Sequence, residues 1–125
     1  MVLSPQSDHD IVRREIRTLG FGITDESMIE EDGKFYPVIC CAKGSTGAHA
    51  DWHHTSDHAV TDMAEDLYGP ALIAGKDPVL KKYLLRGQNK LTSIIIKMDE
   101  SDKKEMFRKQ LLCIDAILKE YGDGL

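Results

Sequence analysis

Between Asp8 and Gly20 the apolar residues fall at Ile11, Val12, Ile16 and Leu19, which share one side of a helical wheel, while Arg13, Arg14 and Arg17 take the other. Ser7, Asp8 and Asp10 offer a cap and first-turn acids, and Gly20 supplies a stop, so the spacing predicts a helix of about three turns. Ahead of it, residues 1–4 form a short apolar stretch ended by Pro5, the pattern of the tail of a buried strand. After Gly20 the rhythm changes. Residues 21–29 and 34–42 read as extended runs joined by Glu30-Glu31-Asp32-Gly33. Asp-Gly between two such runs predicts a tight hairpin, because its turn needs residues that accept positive φ. Pro37 has no N–H to give to a ladder and is expected at an edge or a bulge.

Beyond Lys43 the alternation stops. Residues 44–58 are rich in Gly, Ala, Ser, Thr, His and Asp and read as a loop or insertion. A short helix is predicted over residues 59–67, broken by Tyr68-Gly69-Pro70. Two long helical patterns follow. From Asp77 the series is Val79, Leu80, Tyr83, Leu84, Leu91, Ile94, Ile95 and Met98; from Ser101 it is Met106, Phe107, Leu111, Ile114, Ile117, Leu118 and Tyr121. The short connector Asp99-Glu100 favours antiparallel neighbours, hence a helical hairpin or short antiparallel coiled coil. The chain divides into residues 1–43, a His-rich insertion and connector over residues 44–75, and a helical arm over residues 76–125.

Three strands and one helix are too little to close a sheet. The first strand keeps a bare flank and the sheet an uncovered face, so the N-terminal part reads as the end of a larger α/β sheet.

Composition narrows the setting. The 125 residues are 42% hydrophobic but only 6% aromatic, so the core must rest on Ile, Leu, Val and Met. The cysteines are odd in number: Cys40 and Cys41 are adjacent and Cys113 is distant. That is a poor disulfide framework and points to reduced thiols in a cytoplasmic protein. Neighbouring strand residues face opposite ways, so Cys40 and Cys41 are read as small apolar packing residues rather than a metal clip. No window approaches the roughly 18 apolar residues of a membrane span, and no leader pattern opens the chain. The net charge of −5 argues against a generally basic surface, but residues 76–97 set Lys76, Lys81, Lys82, Arg86, Lys90 and Lys97 against Asp77 alone. Lys82, Arg86 and Lys90 recur every four residues and line one helix face. Such a stripe is either a solvated outer face or a track for phosphates.

His49, His53, His54 and His58 crowd the insertion beside Asp51, Asp57 and Asp62. The pairs His49/His53 and His54/His58 have the spacing that sets two zinc ligands on one helix face, but Gly47, Thr55 and Ser56 oppose a continuous helix. A polar surface insertion is the preferred reading, and no metal site is expected. No nucleophile elbow, phosphate loop or dinucleotide fingerprint occurs, and nothing would cradle an adenosyl cofactor.

Several separated pieces together resemble one family. They are Leu3-Ser4-Pro5-Gln6-Ser7, Val12-Arg13, residues 30–39 (Glu-Glu-Asp-Gly-Lys-Phe-Tyr-Pro-Val-Ile) and Tyr68-Gly69-Pro70-Ala71-Leu72. In order and spacing they are similar to the bacterial tRNA (adenine(22)-N(1))-methyltransferases, the TrmK family. The resemblance covers nearly the whole chain outside the His-rich insertion. It implies the C-terminal portion of a Rossmann-like methyltransferase sheet, a strand, a helix and an antiparallel hairpin, followed by an α-helical coiled-coil arm. The family's donor-binding motifs, an acidic-Gly turn and an Ala-Gly-Met-Gly-Gly segment, have no counterpart here. The turn reads Pro5-Gln6-Ser7 where the family has a Gln-Pro-Asn-like one.

The resemblance further implies transfer of a methyl group from S-adenosylmethionine to N1 of an adenine in tRNA by the full enzyme. Pro5, Gln6 and Ser7 would flank the adenine pocket, and Lys81, Lys82, Arg86 and Lys90 would meet tRNA phosphates. No cofactor is expected for this chain alone, and alone it should be inactive. The expected partners are tRNA and either a second copy or a missing N-terminal half. Three alternatives stay open: a non-catalytic tRNA-binding module, a metal-binding or regulatory protein organised by the histidines, and a subunit completed by a separate N-terminal half.

Overall fold

The computed structural model describes residues 1–5 and 7–122. Strand β1 (Val2–Leu3) leads to helix α1 (His9–Thr18), and strands β2 (Phe21–Glu31) and β3 (Lys34–Lys43) form the hairpin. Helices α2 (His58–Tyr68), α3 (Pro70–Ala74), α4 (Pro78–Lys97) and α5 (Asp102–Glu120) follow.

All strand pairs are antiparallel in the order β1-β3-β2. The hairpin closes on Glu31 opposite Lys34, and the loop residues Asp32 and Gly33 have φ of 53° and 76°. Left-handed backbone at both loop positions matches the twist of the flanking strands, which is why Asp-Gly succeeds there. A bulge falls between Ile23 and Asp25 of β2.

Pro37 lies in the central strand, buried opposite Met28, and so corrects the expectation of an edge or bulge. The tolerance has a local cause. Met1 and Cys41 exchange both backbone bonds, at 2.9 and 3.0 Å, and Leu3 pairs with Ile39. Strand β1 ends at Leu3 opposite Ile39, so no residue of β1 is paired with Pro37, whose ring nitrogen cannot donate. The β1 ladder therefore stops short of Pro37, and its missing N–H interrupts no pair on that side.

Two expectations near the N-terminus are also corrected. Met1 and Val2 are 66% and 65% exposed, so β1 is an uncovered edge here rather than buried. Arg13 is fully buried while Ile11 and Leu19 are exposed. The real inner face of α1 runs through Val12, Arg13 and Ile16, rotated from the apolar series because a partner for Arg13 waits in β2.

The helices begin where their caps dictate. Asp57 accepts from the N–H groups of Ala59 and Val60, Asp77 from those of Val79 and Leu80, and Ser101 from that of Lys104. Pro70 and Pro78 occupy the first turns, where a missing N–H costs nothing. Helix α3 was not foreseen: Gly69-Pro70 ends α2 but also starts a new turn. Leu80, Leu84 and Leu91 of α4 and Cys113, Ile114 and Ile117 of α5 join Met28, Ala64, Leu72 and Ile73 in the main core. Ile16, Ile23, Ile39 and Cys41 form a smaller one between α1 and the sheet. Burial pushes the Cys113 thiol up to about 11, so it stays a neutral packing group. No described helix is long and apolar enough to cross a membrane.

Candidate nucleic-acid interface

Helix α4 buries Leu80, Leu84 and Leu91 against the core, which turns Lys82 and Arg86 toward the hairpin tip. Lys82 Nζ lies 2.7 Å from Glu30 Oε1. Arg86 Nη1 donates to the carbonyl of Gly33 at 2.5 Å, and its guanidinium carbon stands 5.6 Å from the Phe35 ring centre. Both side chains remain exposed, but two of the four cations singled out by sequence are tied to the hairpin. Lys90 is exposed and Lys81 half-buried, and neither makes an ion pair among the described residues.

Hairpin tip and arm together enclose a groove of about 660 Å³. Phe35 packs on Tyr83 with ring centres 5.1 Å apart, and Tyr83 on Tyr68 at 6.1 Å. Burial pushes both tyrosine hydroxyls up, Arg13 opposing this at Tyr83, so they stay neutral. Phe107 closes the far wall, and Lys34, Arg86 and Lys90 stand around the opening. Sequence reasoning found Arg86 and Lys90 but neither Lys34 nor the groove, because Phe35 and Phe107 are distant in the chain.

At the carboxyl end of β1, Ser4 lines a second concavity of about 410 Å³ with Ile29, Asp32, Lys34 and Tyr36. Since β1 runs antiparallel to β3, its carboxyl end points toward the hairpin tip. Pro5 is half-buried and Ser7 exposed, and Gln6 lies outside the described residues. His9, unnoticed in the sequence, stands one helical turn on. Burial and the charge of Arg13 hold its imidazole below the ordinary 6.5, against the pull of the Pro5 backbone. Its Nε2 is buried without a partner among the described residues.

The four histidines do not converge on one point. Residues 49–57 are not helical, so the four-residue spacing loses its meaning. His49 Nδ1 lies 3.4 Å from Glu65, whose other oxygen accepts from the Trp52 indole at 2.9 Å. His53 and His54 donate their backbone N–H groups to Glu120, at 3.0 and 2.8 Å, and both rings approach the same carboxylate. His58 opens α2. No group of three or more His, Cys, Asp or Glu able to hold a metal ion occurs among the described residues. Glu65 and Glu120 were not foreseen as partners.

Nor was the buried pair behind the hairpin. Arg13 Nε donates to Glu26 at 2.9 Å and Nη1 to the Asp66 carbonyl at 2.9 Å, while Glu26 also accepts from the Ala71 N–H at 3.0 Å. Burial pushes the Glu26 carboxyl above the ordinary 4.5, opposed by Arg13 and by the Ala71 and Leu72 amides. The pair fixes α2 and α3, and through them the start of α4, against the sheet. One signal was available: Glu26 shares the inward strand parity of Met28.

A family model described as tRNA (adenine(22)-N(1))-methyltransferase matches residues 1–117. No curated protein sequence matches the chain. Among solved structures it is similar to the B. subtilis M1A22 tRNA methyltransferase TrmK, at 22% identity over 96% of this chain and 50% of that one, with a TM-score of 0.65. It is similar to M. capricolum TrmK, solved with the cofactor product S-adenosyl-homocysteine, at 16% identity, 96% and 49% coverage and a TM-score of 0.69. A Streptococcus agalactiae protein of the NADB-Rossmann superfamily gives 22% identity, 96% and 46% coverage and a TM-score of 0.65. The chain thus spans about half the length of these structures, and the likeness at such identities is one of fold.

Proposed function

The chain belongs to the tRNA (adenine(22)-N(1))-methyltransferase family, and on that footing we propose that it is the part of such an enzyme that ends the catalytic sheet and carries the tRNA-holding arm. In this reading the full enzyme moves a methyl group from S-adenosylmethionine to N1 of an adenine in tRNA. Residues 1–43 finish the Rossmann-like sheet, residues 44–75 connect, and residues 76–125 form the arm. The free cysteines and the tRNA substrate suit the cytoplasm.

The observation that carries the proposal is a shared edge. The carboxyl end of β1 and the hairpin tip lie there, Lys82 and Arg86 of α4 reach the tip, and ligands of open α/β sheets collect beyond the carboxyl ends of strands. Pro5, Gln6 and Ser7 flank the adenine pocket. Lys81, Lys82, Arg86 and Lys90 hold phosphates, with Lys81 and Lys90 the more available pair.

S-adenosylmethionine supplies the methyl group when bound, but the residues of this chain do not fit it. The glycine-bearing loop after β3 folds back on β2, with the Ala48 N–H donating to the Ile23 carbonyl at 2.6 Å. The turn from β1 to α1 runs from Ser4 to Asp8 and holds no glycine. No step is therefore assigned through the donor. What this chain contributes is orientation of the RNA and one wall of the base pocket.

The test is tRNA binding by the chain across a salt series. Each phosphate contact releases counterions, so affinity should fall steeply with salt. The double variant Lys81→Glu, Lys90→Glu should weaken binding and flatten the slope by roughly one to two units. Unchanged affinity and slope would remove the arm from RNA binding.

A further inference from the structure

We infer that the groove between the hairpin tip and the arm binds one unpaired nucleotide of the RNA, its base between Phe107 and the Arg86 guanidinium that covers Phe35, and its phosphate on Lys34 and Lys90. This rests on the RNA-binding reading of the arm and goes beyond it, because a phosphate track needs only a convex row of cations.

Three observations favour a nucleotide over bare phosphates. The first is shape. A groove of about 660 Å³ falls within the range of small-ligand clefts, yet it is a concavity between a turn and two helices that a duplex cannot enter. The second is its lining, which joins ring surface to positive charge. Bases splayed out of RNA stack on aromatic rings and on guanidinium planes, and this groove offers both: Phe107 in one wall, and Arg86 laid over Phe35 in the other. The third is donor capacity. Arg86 spends one N–H on the Gly33 carbonyl and keeps four, while Lys34 and Lys90 make no ion pair among the described residues. Gln110 at the rim can pair with a base edge in either direction.

Charge complementarity selects the occupant. In a chain of net charge −5, the cationic rim of this groove is the exception, and it suits a polyanion. Glu30, at the hairpin end of β2, is already neutralised by Lys82. Glu31 and Asp32 line the concavity on the β1 side of the hairpin instead. The site also lies at the sheet edge where the proposed adenine pocket opens. A nucleotide held here would anchor the RNA strand next to the base being modified.

The experiment uses the whole chain and two labelled single-stranded RNAs of one length, one natural and one carrying abasic positions. Stacking should make the natural strand bind about tenfold or more tightly than the abasic one. Phe107→Leu, which keeps apolar volume but removes the ring, should erase that preference and leave abasic affinity unchanged. Phe107→Trp should keep it. Lys90→Glu, on an exposed side chain outside the core, should cost several times more affinity for the natural strand than Lys97→Glu, the same charge change two turns further along α4. That comparison holds even if the Phe107 variants fold poorly.

Equal binding of natural and abasic strands, or equal effects of the two lysine variants, would overturn the nucleotide site while leaving the phosphate reading of the arm standing. Failure to bind either strand would overturn both.

Discussion

The guanidinium of Arg13 and the carboxylate of Glu26 meet at 2.9 Å with their side chains 1% and 0% exposed. Further partners hold the pair in place: Asp66 gives a carbonyl to Arg13, and Ala71 gives an N–H to Glu26. A buried pair gains little over apolar residues of the same shape, but removing one partner strands a charge away from water. Arg13→Leu and Glu26→Leu should therefore each cost about 3–5 kcal/mol in urea unfolding. The double variant should cost well under the sum, because the stranded charge is gone. Gly69→Ala should also destabilise, by more than about 1 kcal/mol, since its φ is 98° and a Cβ there would come within 2.6 Å of both Glu26 oxygens.

The cations of α4 should separate into two kinds. Arg86→Ala loses a bond to the Gly33 carbonyl and a contact with the Phe35 ring, so the hairpin tip loosens and stability falls by about 1–2 kcal/mol. Lys90→Ala should change stability by less than about 0.5 kcal/mol. Thermal melts of the two variants check this. Equal melting points would mean that Arg86 is merely a surface residue.

Acid should release the insertion from the C-terminal helix. Burial raises the Glu120 carboxyl, but the backbone and ring donors of His53 and His54 outweigh it, and the net shift is downward. A carboxylate held lower in the folded state stabilises the fold fully above its ordinary value of 4.5, and that contribution disappears as pH falls through the lowered folded value. Glu100, held near 2 first by its hydrogen bond from Arg108, titrates on the same acid limb. The Glu120→Gln variant separates them. It should be less stable than the parent above pH 4.5, with the gap closing in acid, as read from urea midpoints along a pH series.

Strand β1 pairs with β3 on one side only, and Met1 and Val2 at its start are largely exposed. An open edge beside apolar surface invites pairing with another chain. The chain made alone should sediment as a dimer or larger species. Val2→Lys, on a side chain already 65% exposed, should shift it toward monomer. A parent that stays monomeric at high concentration would show that the edge is adequately protected.

Calorimetry of the chain with S-adenosylmethionine should give no single-site micromolar binding, since the loop after β3 is folded onto Ile23 and cannot receive the donor. Addition of the donor-binding half of a family member should restore binding to the mixture. Tight binding by the chain alone would place a donor site where the backbone leaves none.

Much of this protein was decided by residues close together in the chain. Asp32-Gly33 fixes the hairpin because two consecutive left-handed residues suit few other pairs, and Asp57, Asp77 and Ser101 start their helices by bonding to amides two or three residues away. The arm was likewise legible, because apolar spacing on α4 and α5 reports which faces must meet. The motif order alone was also enough to name the family. What the sequence could not decide was which side chains lose water, since that depends on elements brought together from far apart. Arg13 looked solvated until Glu26, Asp66 and α3 closed over it. Pro37 looked like an edge residue until its strand proved central, with β1 ending opposite Ile39 before it reaches the proline. The His-rich stretch reads as a polar insertion rather than a zinc site, but only the folded chain sets His53 and His54 against Glu120, far along the sequence. Phe35 and Phe107 lie too far apart in sequence for any local pattern to pair them, and only the docking of the arm on the hairpin tip turned them into walls of one groove.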